Sequence, residues 1–450
     1  MENKELIELV SSNLKKGETG AVKSILGQEH PSAIAGIFPD LDLDERIGVL
    51  NSLVPETRSL VLLELDSELR HEILEYLSPS EIAKIAEEMD SDDIADLISE
   101  LPETVAQQVL SILSPEELKE VETLLKYPED TAGGLMQTEL VSVKDTYTVR
   151  ETIDWIRLIA DEVEDFYEIF VTDEHDRLCG HTPLKQLILS SHTTVIKDIM
   201  EEVEATVTPY IDQEEVADIV KKYDIMSLPV VDDHGKLLGR ITADDVIDVI
   251  TEEASEDILH LAGVADYSHP IYTPTFVRVK SRIPWILLGL VGELIIAFII
   301  VHHFKPTLEK LVILAAFMPV IMATGGNVGI QATTIVVRGL GMGSITPGQM
   351  LKVMTSELKL GLSLGITSGA VAAVVGYIIS MSEPQVLMLS VAIFIAITTA
   401  TLATTFTGVI TPFLLYKMRF DPAVASSPFV TMSNDIFGST IFLFIAMLLF

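Results

Sequence analysis

The sequence predicts a multi-domain membrane protein with three parts: an all-α superhelical N-domain, an α/β tandem domain, and an α-helical transmembrane domain of five spans. Three observations carry that prediction. Charge is split along the chain, with 61 acidic and 22 basic side chains in residues 1–280 against 6 and 8 in residues 281–450. Five long apolar runs fill the second part. Two different internal repeats fill the first.

Residues 1–130 read as short amphipathic helices. LVPETRSLVLLEL, LSPSEIAKIAEEM, LPETVAQQVLSIL and LSPEELKEVETLL each place a Pro or small capping residue, then acids, then apolar positions at i, i+3 and i+4. Pro and carboxylates belong in a helix's first turn, where N–H groups are unpaired and the dipole is positive. Helices this short cannot bury their faces alone, so they are expected to stack as a superhelix.

Residues 131–256 carry the second repeat. FVTDEHDRLCGHTPLKQLI (170–188) and PVVDDHGKLLGRITADDVI (229–247) align without a gap at an offset of 59 residues. Each reads as strand, acidic turn, short strand, helix. The boundaries fall at 131–200 for the first motif and 201–256 for the second, with a connecting helix over 257–281.

The remaining 282–450 hold spans near 283–301, 311–337, 360–382, 386–416 and 427–450. A helix needs about 20 apolar residues to cross the hydrocarbon core. An odd number of spans puts the termini on opposite sides. With the N-terminus cytoplasmic, Arg278, Lys280, Arg282, Arg338, Lys352, Lys417 and Arg419 flank the cytoplasmic side, against Lys305 and Lys310 outside. That is the positive-inside pattern.

Several function classes are excluded. A net charge of −37 argues against a nucleic-acid partner, since phosphates need Lys and Arg. The single cysteine, Cys179, allows no intrachain disulfide and suits a reducing cytosol. The first 20 residues lack the apolar core of a cleavable signal peptide. No nucleophile–base arrangement, P-loop or Cys/His metal cluster stands out, so an enzyme is not expected.

Inside the last span, SPFVTMSNDIFGSTIFLF holds one carboxylate, Asp435. An ionised group at that depth costs about 2.5–3.5 kcal/mol on insertion scales and usually faces protein or a water path. It is either a hydrogen-bonded structural residue or an ion-path acid. A hard divalent cation takes oxygen ligands and often keeps part of its water shell, which suits an aspartate touching a hydrated ion. A two-fold dimer would supply two such acids, with Thr431 and Asp435 facing the axis and IFLFIAMLLF outward. TGGNVGIQ in the second span implies a break or a close backbone approach. Packing alone explains it, or Asn327 lies near the ion path. The hydroxyls of ITTATLATTFTGVIT favour helix packing. Glu293, a second membrane acid, is expected in an interhelical hydrogen bond. His302 and His303 are a solvated pair or recruit metal at the outer mouth.

The α/β repeat resembles a pair of cystathionine-β-synthase (CBS) motifs, whose second copy, GRITADD, fits the G-x-x-T-x-x-D pattern that can hold a ribose. The first copy, GHTPLKQ, lacks the final acid. The whole chain resembles the MgtE family of magnesium transport proteins, through DTAGGLM (130–136), PVIMATGGNVGIQATTIVVRGL (319–340) and DPAVASSPFVTMSNDIFG (421–438). The resemblance implies a Mg²⁺-selective channel or transporter in a bacterial plasma membrane, working as a homodimer with the C-terminus outside. Residue by residue, it implies that Asp92, Asp96, Gly134, Glu214, Asp224, Asp245, Asp248, Glu256 and Asp421 hold regulatory Mg²⁺. Bound metal would relieve carboxylate repulsion, compact the cytosolic part and close the pore. Any ATP bound would be regulatory, with Thr242 and Asp245 as its contacts. The alternatives are a general divalent-cation transporter for Co²⁺ or Mn²⁺, and a nucleotide sensor with a membrane anchor.

Overall fold

The computed structural model describes residues 3–159, 166–262, 264, 273–310, 312–381 and 385–450, with the side chains of 310 and 424–428 set aside. It divides into two units, Met1–Glu253 and Ala254–Phe450.

The first unit opens with α1 (Asn3–Lys15), α2 (Thr19–Leu26), α3 (Pro31–Ala35), α4 (Leu43–Ser52) and α5 (Pro55–Leu63). It continues with α6 (Ser67–Leu74), α7 (Pro79–Ala86), α8 (Ser91–Ser99), α9 (Glu103–Leu110) and α10 (Pro115–Leu124). The start signals act as expected. Asp42–Glu45, Ser78–Glu81 and Ser114–Glu117 form capping boxes, each satisfying two otherwise orphaned N–H groups. Packing runs between helices two apart, α2 on α4, α3 on α5, α5 on α7, α7 on α9 and α8 on α10. That alternation is the expected superhelix. Arg46 to Glu72 (2.6 Å) ties α4 to α6.

The α/β domain consists of β1 (Ser142–Lys144), α11 (Val149–Leu158), β2 (Glu168–Thr172), β3 (Leu178–Pro183), α12 (Leu184–Leu189), α13 (Gln213–Tyr223), β4 (Ser227–Val231), β5 (Leu237–Thr242) and α14 (Ala243–Leu261). β1 runs parallel to β2, β2 antiparallel to β3, and β4 antiparallel to β5. The repeat is preserved down to its register. Phe170 opposes His181 as Pro229 opposes Arg240, and both hairpins shift register at the equivalent step, Val171/Thr172 and Val230/Val231. Asp173 and Asp232 build the same turn, accepting from His175 and Arg177 N–H in one copy and from His234 and Lys236 N–H in the other. The left-handed position of that turn holds Asp176 (φ 60°) in the first copy and Gly235 (φ 79°) in the second.

The second unit contains α15 (Thr275–Ile299), a π-helical turn at Ile300–Phe304, α16 (Lys305–Lys310), α17 (Ile313–Gly341), α18 (Met350–Ile379), α19 (Val386–Lys417) and α20 (Pro422–Leu449). Among the described residues, five helical stretches are long and apolar enough to cross a membrane. The helices outrun the apolar runs that predicted them. α15 starts eight residues before Ile283 and carries Arg278, Lys280 and Arg282, whose long stems let the charge reach polar surroundings.

The connecting segment differs from the single helix expected over 257–281. α14 ends at Leu261, and Pro274, which has no N–H to give, caps a new helix at Thr275 that runs on into the first span. Residues 265–272 lie outside the described residues. The TGGN stretch is also unbroken, because α17 is continuous from Ile313 to Gly341. His302 and His303 lie in the π-helical turn, where His302 stacks on Phe298 and its Nδ1 meets the Phe298 carbonyl (3.0 Å).

α19 is the hub of this unit, packing on α17, α18 and α20. Small residues let the backbones approach, as expected where lipid supplies no hydrophobic drive between helices. Gly361, Gly365 and Gly369 put a smooth stripe of α18 against Thr405, Thr398, Thr401 and Phe394. Threonines then bond across the seams, Thr398 to the Gly365 carbonyl (3.2 Å), Thr404 to Gly325 (2.9 Å) and Thr333 to Gly408 (3.1 Å). The expected packing role of the Thr-rich span is therefore visible in its bonds. IFLFIAMLLF does not face wholly outward. Phe442, Leu443 and Ala446 are buried with Phe317, Ile321, Ile393 and Ile397.

A Cβ on Gly408 would meet the Gly329 carbonyl and the Thr333 hydroxyl. Gly408→Val should therefore destabilise the detergent-solubilised protein, by about 1–3 kcal/mol if typical of overpacking. Gly289→Ala, with nothing within 4 Å of the added carbon, should leave the melting temperature unchanged.

Candidate functional site

Three groups of carboxylates stand out, one in the first unit and two in the second. In the first unit, α8 begins SDD and its N-terminus is anchored from outside the helix. Ser91 Oγ donates to Glu139 (2.7 Å), and the Thr138 N–H donates to Ser91 Oγ (2.9 Å). That anchorage holds Asp92, Asp93 and Asp96 close enough to Asp245, at the start of α14, for their charges to interact. Asp92 is 7 % exposed, and its buried Oδ1 has no hydrogen-bond partner among the described residues.

The electrostatic consequence is a set of displaced acids. Burial, then Asp93 and Asp245, push the Asp92 carboxyl well above the ordinary carboxylate range. Asp93 is pushed up to about 7 by burial, followed by Asp245 and Asp90. Asp96 reaches about 7 through burial and then Glu129. Burial raises Asp245 as well, against the pull of hydrogen bonds from Thr242. Burial, Glu64 and Asp244 raise Asp248.

The other expected ligands are placed as follows. Gly134 sits in a turn where a Cβ would strike the backbone of Pro128 and Glu129. DTAGGLM bonds the second repeat, Ala132 N–H to Ile211 (2.7 Å) and Gly133 N–H to Pro209 (2.8 Å). Glu214 is exposed in the first turn of α13, and Asp224 ends the same helix in the left-handed region at φ 53°. Thr242 Oγ1 and N–H both donate to Asp245, so the two residues expected to hold a nucleotide also cap the start of α14.

In the second unit, Asp421 caps α20, accepting from the Ala423 N–H (2.8 Å). His260, buried near the end of α14, reaches Asp421 (3.2 Å) on one side and Glu256 (3.5 Å) on the other. Asp257 belongs to the same group. Burial, then Asp421, pushes it up to about 6.

Deeper in the helices, Asp435 receives the Asn434 Nδ2–H (2.9 Å), and the Glu293 carboxyl on α15 lies within hydrogen-bonding reach of it. The neighbour of Glu293 is thus the acid singled out in the last span, on a helix packed against its own. Thr431 and Asn327 are both exposed on the chain. Sequence reasoning missed Asp93, Asp257 and Asn434. Each is adjacent to a residue that was singled out, and that adjacency was the available signal.

Oxygen donors dominate these groups, which suits a hard divalent cation, and the buried Asp92 Oδ1 is an acceptor such a cation would satisfy. Among the described residues, no three acidic, His or Cys side chains already converge on a closed metal site.

A bundle of five long apolar helices with an internal acid, preceded in the chain by an acidic helical domain and an α/β repeat, fits the class of membrane transport proteins. The comparisons with known proteins narrow that class. Family profiles match at residues 29–130 (MgtE intracellular N domain), 196–252 (CBS domain) and 318–445 (divalent cation transporter, MgtE). The magnesium transporter MgtE of Thermus thermophilus is 34 % identical over 467 residues, covering 100 % of this chain and 99 % of its own. That of Bacillus subtilis is 29 % identical over 442 residues, covering 98 % and 97 %. The crystal structure of the cytosolic domain of the Mg²⁺ channel MgtE in complex with ATP is 36 % identical, with a TM-score of 0.52. It covers 54 % of this chain and 99 % of that one. The chain belongs to the MgtE family, whose members are transporters and not enzymes.

The pH dependence follows from Asp93 and Asp96. Both have folded pKa values raised to about 7 from an ordinary 3.8. The stability they contribute is complete below the ordinary value, where both states are protonated. It is lost as pH rises towards 7, because the folded state must then ionise buried acids. Without divalent metal, the melting temperature of the acidic half should fall between about pH 4 and 7 and level off above. Asp93→Asn should flatten that slope and raise the pH 8 value by about 2–4 °C.

Proposed function

We propose that this chain carries Mg²⁺ across a membrane along a path lined by Asp435, and that Mg²⁺ on the side of the acidic half closes that path. Membership of the MgtE family supports transport. The observation that carries the path is the proximity of two intramembrane carboxyls, Glu293 and Asp435, on the packed helices α15 and α20. An anchor has no use for such a pair, because each acid costs free energy that lipid contact cannot return.

Mg²⁺ gives up water reluctantly and binds in octahedral geometry, so Asp435 acts on the hydrated ion through its water shell. A homodimer places two copies of the acid about its axis, matching the divalent charge. Thr431 and Asn327 lie on surface that a second copy and the path would cover. The acidic half faces the cytosol, in keeping with the basic flanks of the spans.

Closure rests on the buried acids. Asp92, Asp93, Asp96 and Asp245 repel one another when ionised. Mg²⁺ shared with Gly134, Glu214, Asp224 and Asp248 removes that repulsion and favours a compact form. Asp421, Glu256 and Asp257 are the acids at which metal reaches the start of the last span. A ligand shifts a two-state equilibrium only by binding one state better, and a metal that bridges acids meets that requirement. ATP, bound by a relative's cytosolic domain, would act as a regulatory ligand at Thr242 and Asp245, in competition with the capping bonds those residues make.

Two measurements test this reading. Asp435→Asn should reduce rescue of a Mg²⁺-uptake-deficient bacterium at least tenfold while the protein still reaches the membrane; wild-type growth would remove Asp435 from the path. Millimolar Mg²⁺ should slow proteolysis of residues 1–262 severalfold and more than equal K⁺ ionic strength does. An equal effect of K⁺ would reduce it to screening.

A further inference from the structure

We propose that Asn434 positions Asp435 for the ion, and that the paired glycines of TGGN seat Asn434; this rests on the reading that Asp435 lines the path. Asn434 is 1 % exposed. Its Nδ2 donates to the Met322 carbonyl on α17 (2.7 Å) and to Asp435 Oδ1 (2.9 Å). One amide nitrogen therefore ties the acid of α20 to the backbone of α17. A carbonyl has a second lone pair, so Met322 can accept this bond alongside a helical one.

The seat is shaped for that amide. A Cβ on Gly325 would strike Asn434 Oδ1, and one on Gly326 would come within 3.1 Å of Nδ2. Both glycines are buried in an unbroken helix, so they serve neither a break nor a turn. Asn434 Oδ1 is buried and has no hydrogen-bond partner among the described residues. A residue present only to fill space would be apolar and would leave no such atom. The donor is what an apolar residue could not supply.

The gain is orientation. An aspartate on a free rotamer would meet the rigid octahedral shell of hydrated Mg²⁺ in several poses, and a fixed Nδ2–H selects one. Asn434 is thus a positioning residue acting through Asp435.

The test is Mg²⁺ influx into proteoliposomes holding the purified full chain, started with no internal Mg²⁺ and read by a Mg²⁺-sensitive dye. Rates are normalised to folded protein from gel filtration. Asn434→Ala should raise the half-saturating Mg²⁺ concentration roughly tenfold. Gly325→Ala keeps the amide but displaces it, and should shift half-saturation the same way. A lowered maximal rate with unchanged half-saturation in both variants would overturn the proposal, as would failure of both to fold, which would assign the amide to packing. Asp435→Asn separates the two readings. If it transports as wild type, the path through Asp435 is wrong. If it is impaired while both other variants match wild type, only the positioning role fails.

Discussion

Carboxylates held away from water without enough cationic partners are the constraint on which this molecule turns. Asp92, Asp93, Asp96 and Asp245 in the soluble half are raised chiefly by burial, and their neighbouring acids add to the cost. Arg70 lowers Asp93 and Asp96 but is already committed to Glu100 through three hydrogen bonds. A fold chosen for stability alone would neutralise these positions. Keeping them acidic leaves the domain's free energy dependent on protons and, on the proposed reading, on metal.

The spanning half meets the same constraint differently. Lipid offers no hydrophobic drive between helices, so glycine stripes and threonine back-bonds bring α17, α18, α19 and α20 together. That close packing is also what admits polar side chains at depth. Gly292, buried against Met432, brings α15 next to α20, where Glu293 meets Asp435. Gly325 and Gly326 make room for Asn434. Small residues thus fix both the packing and the placement of the polar groups.

Much of this was legible in the sequence, and for physical reasons. The 59-residue repeat was visible because each copy must rebuild the same Asp-capped turn and the same bulged hairpin. The N-domain helices were visible because capping boxes need particular residues three apart. Span ends were less legible, since Arg278, Lys280 and Arg282 interrupt an apolar pattern without interrupting a helix. The connecting segment is not the single helix expected, since α14 ends at Leu261 and Pro274 caps a separate helix that starts at Thr275. TGGN suggested two outcomes, a break or a close approach. Only the facing side chain, Asn434, decides between them, and no local pattern reveals a partner more than a hundred residues away. Asp245 shows a similar limit. Its acid was read as a ligand, while its hydrogen bonds from Thr242 also give it a capping role.

The central claim is that occupancy of the buried acids by Mg²⁺ sets whether the path conducts. The most direct measurement is single-channel current or vesicle flux against Mg²⁺ on the face bearing the soluble half, for wild type and for Asp92→Asn with Asp245→Asn. The account requires activity to fall as that Mg²⁺ rises through the millimolar range, with the double substitution moving the threshold to higher Mg²⁺. Activity indifferent to Mg²⁺ on that face, or a threshold unmoved by the substitutions, would contradict it.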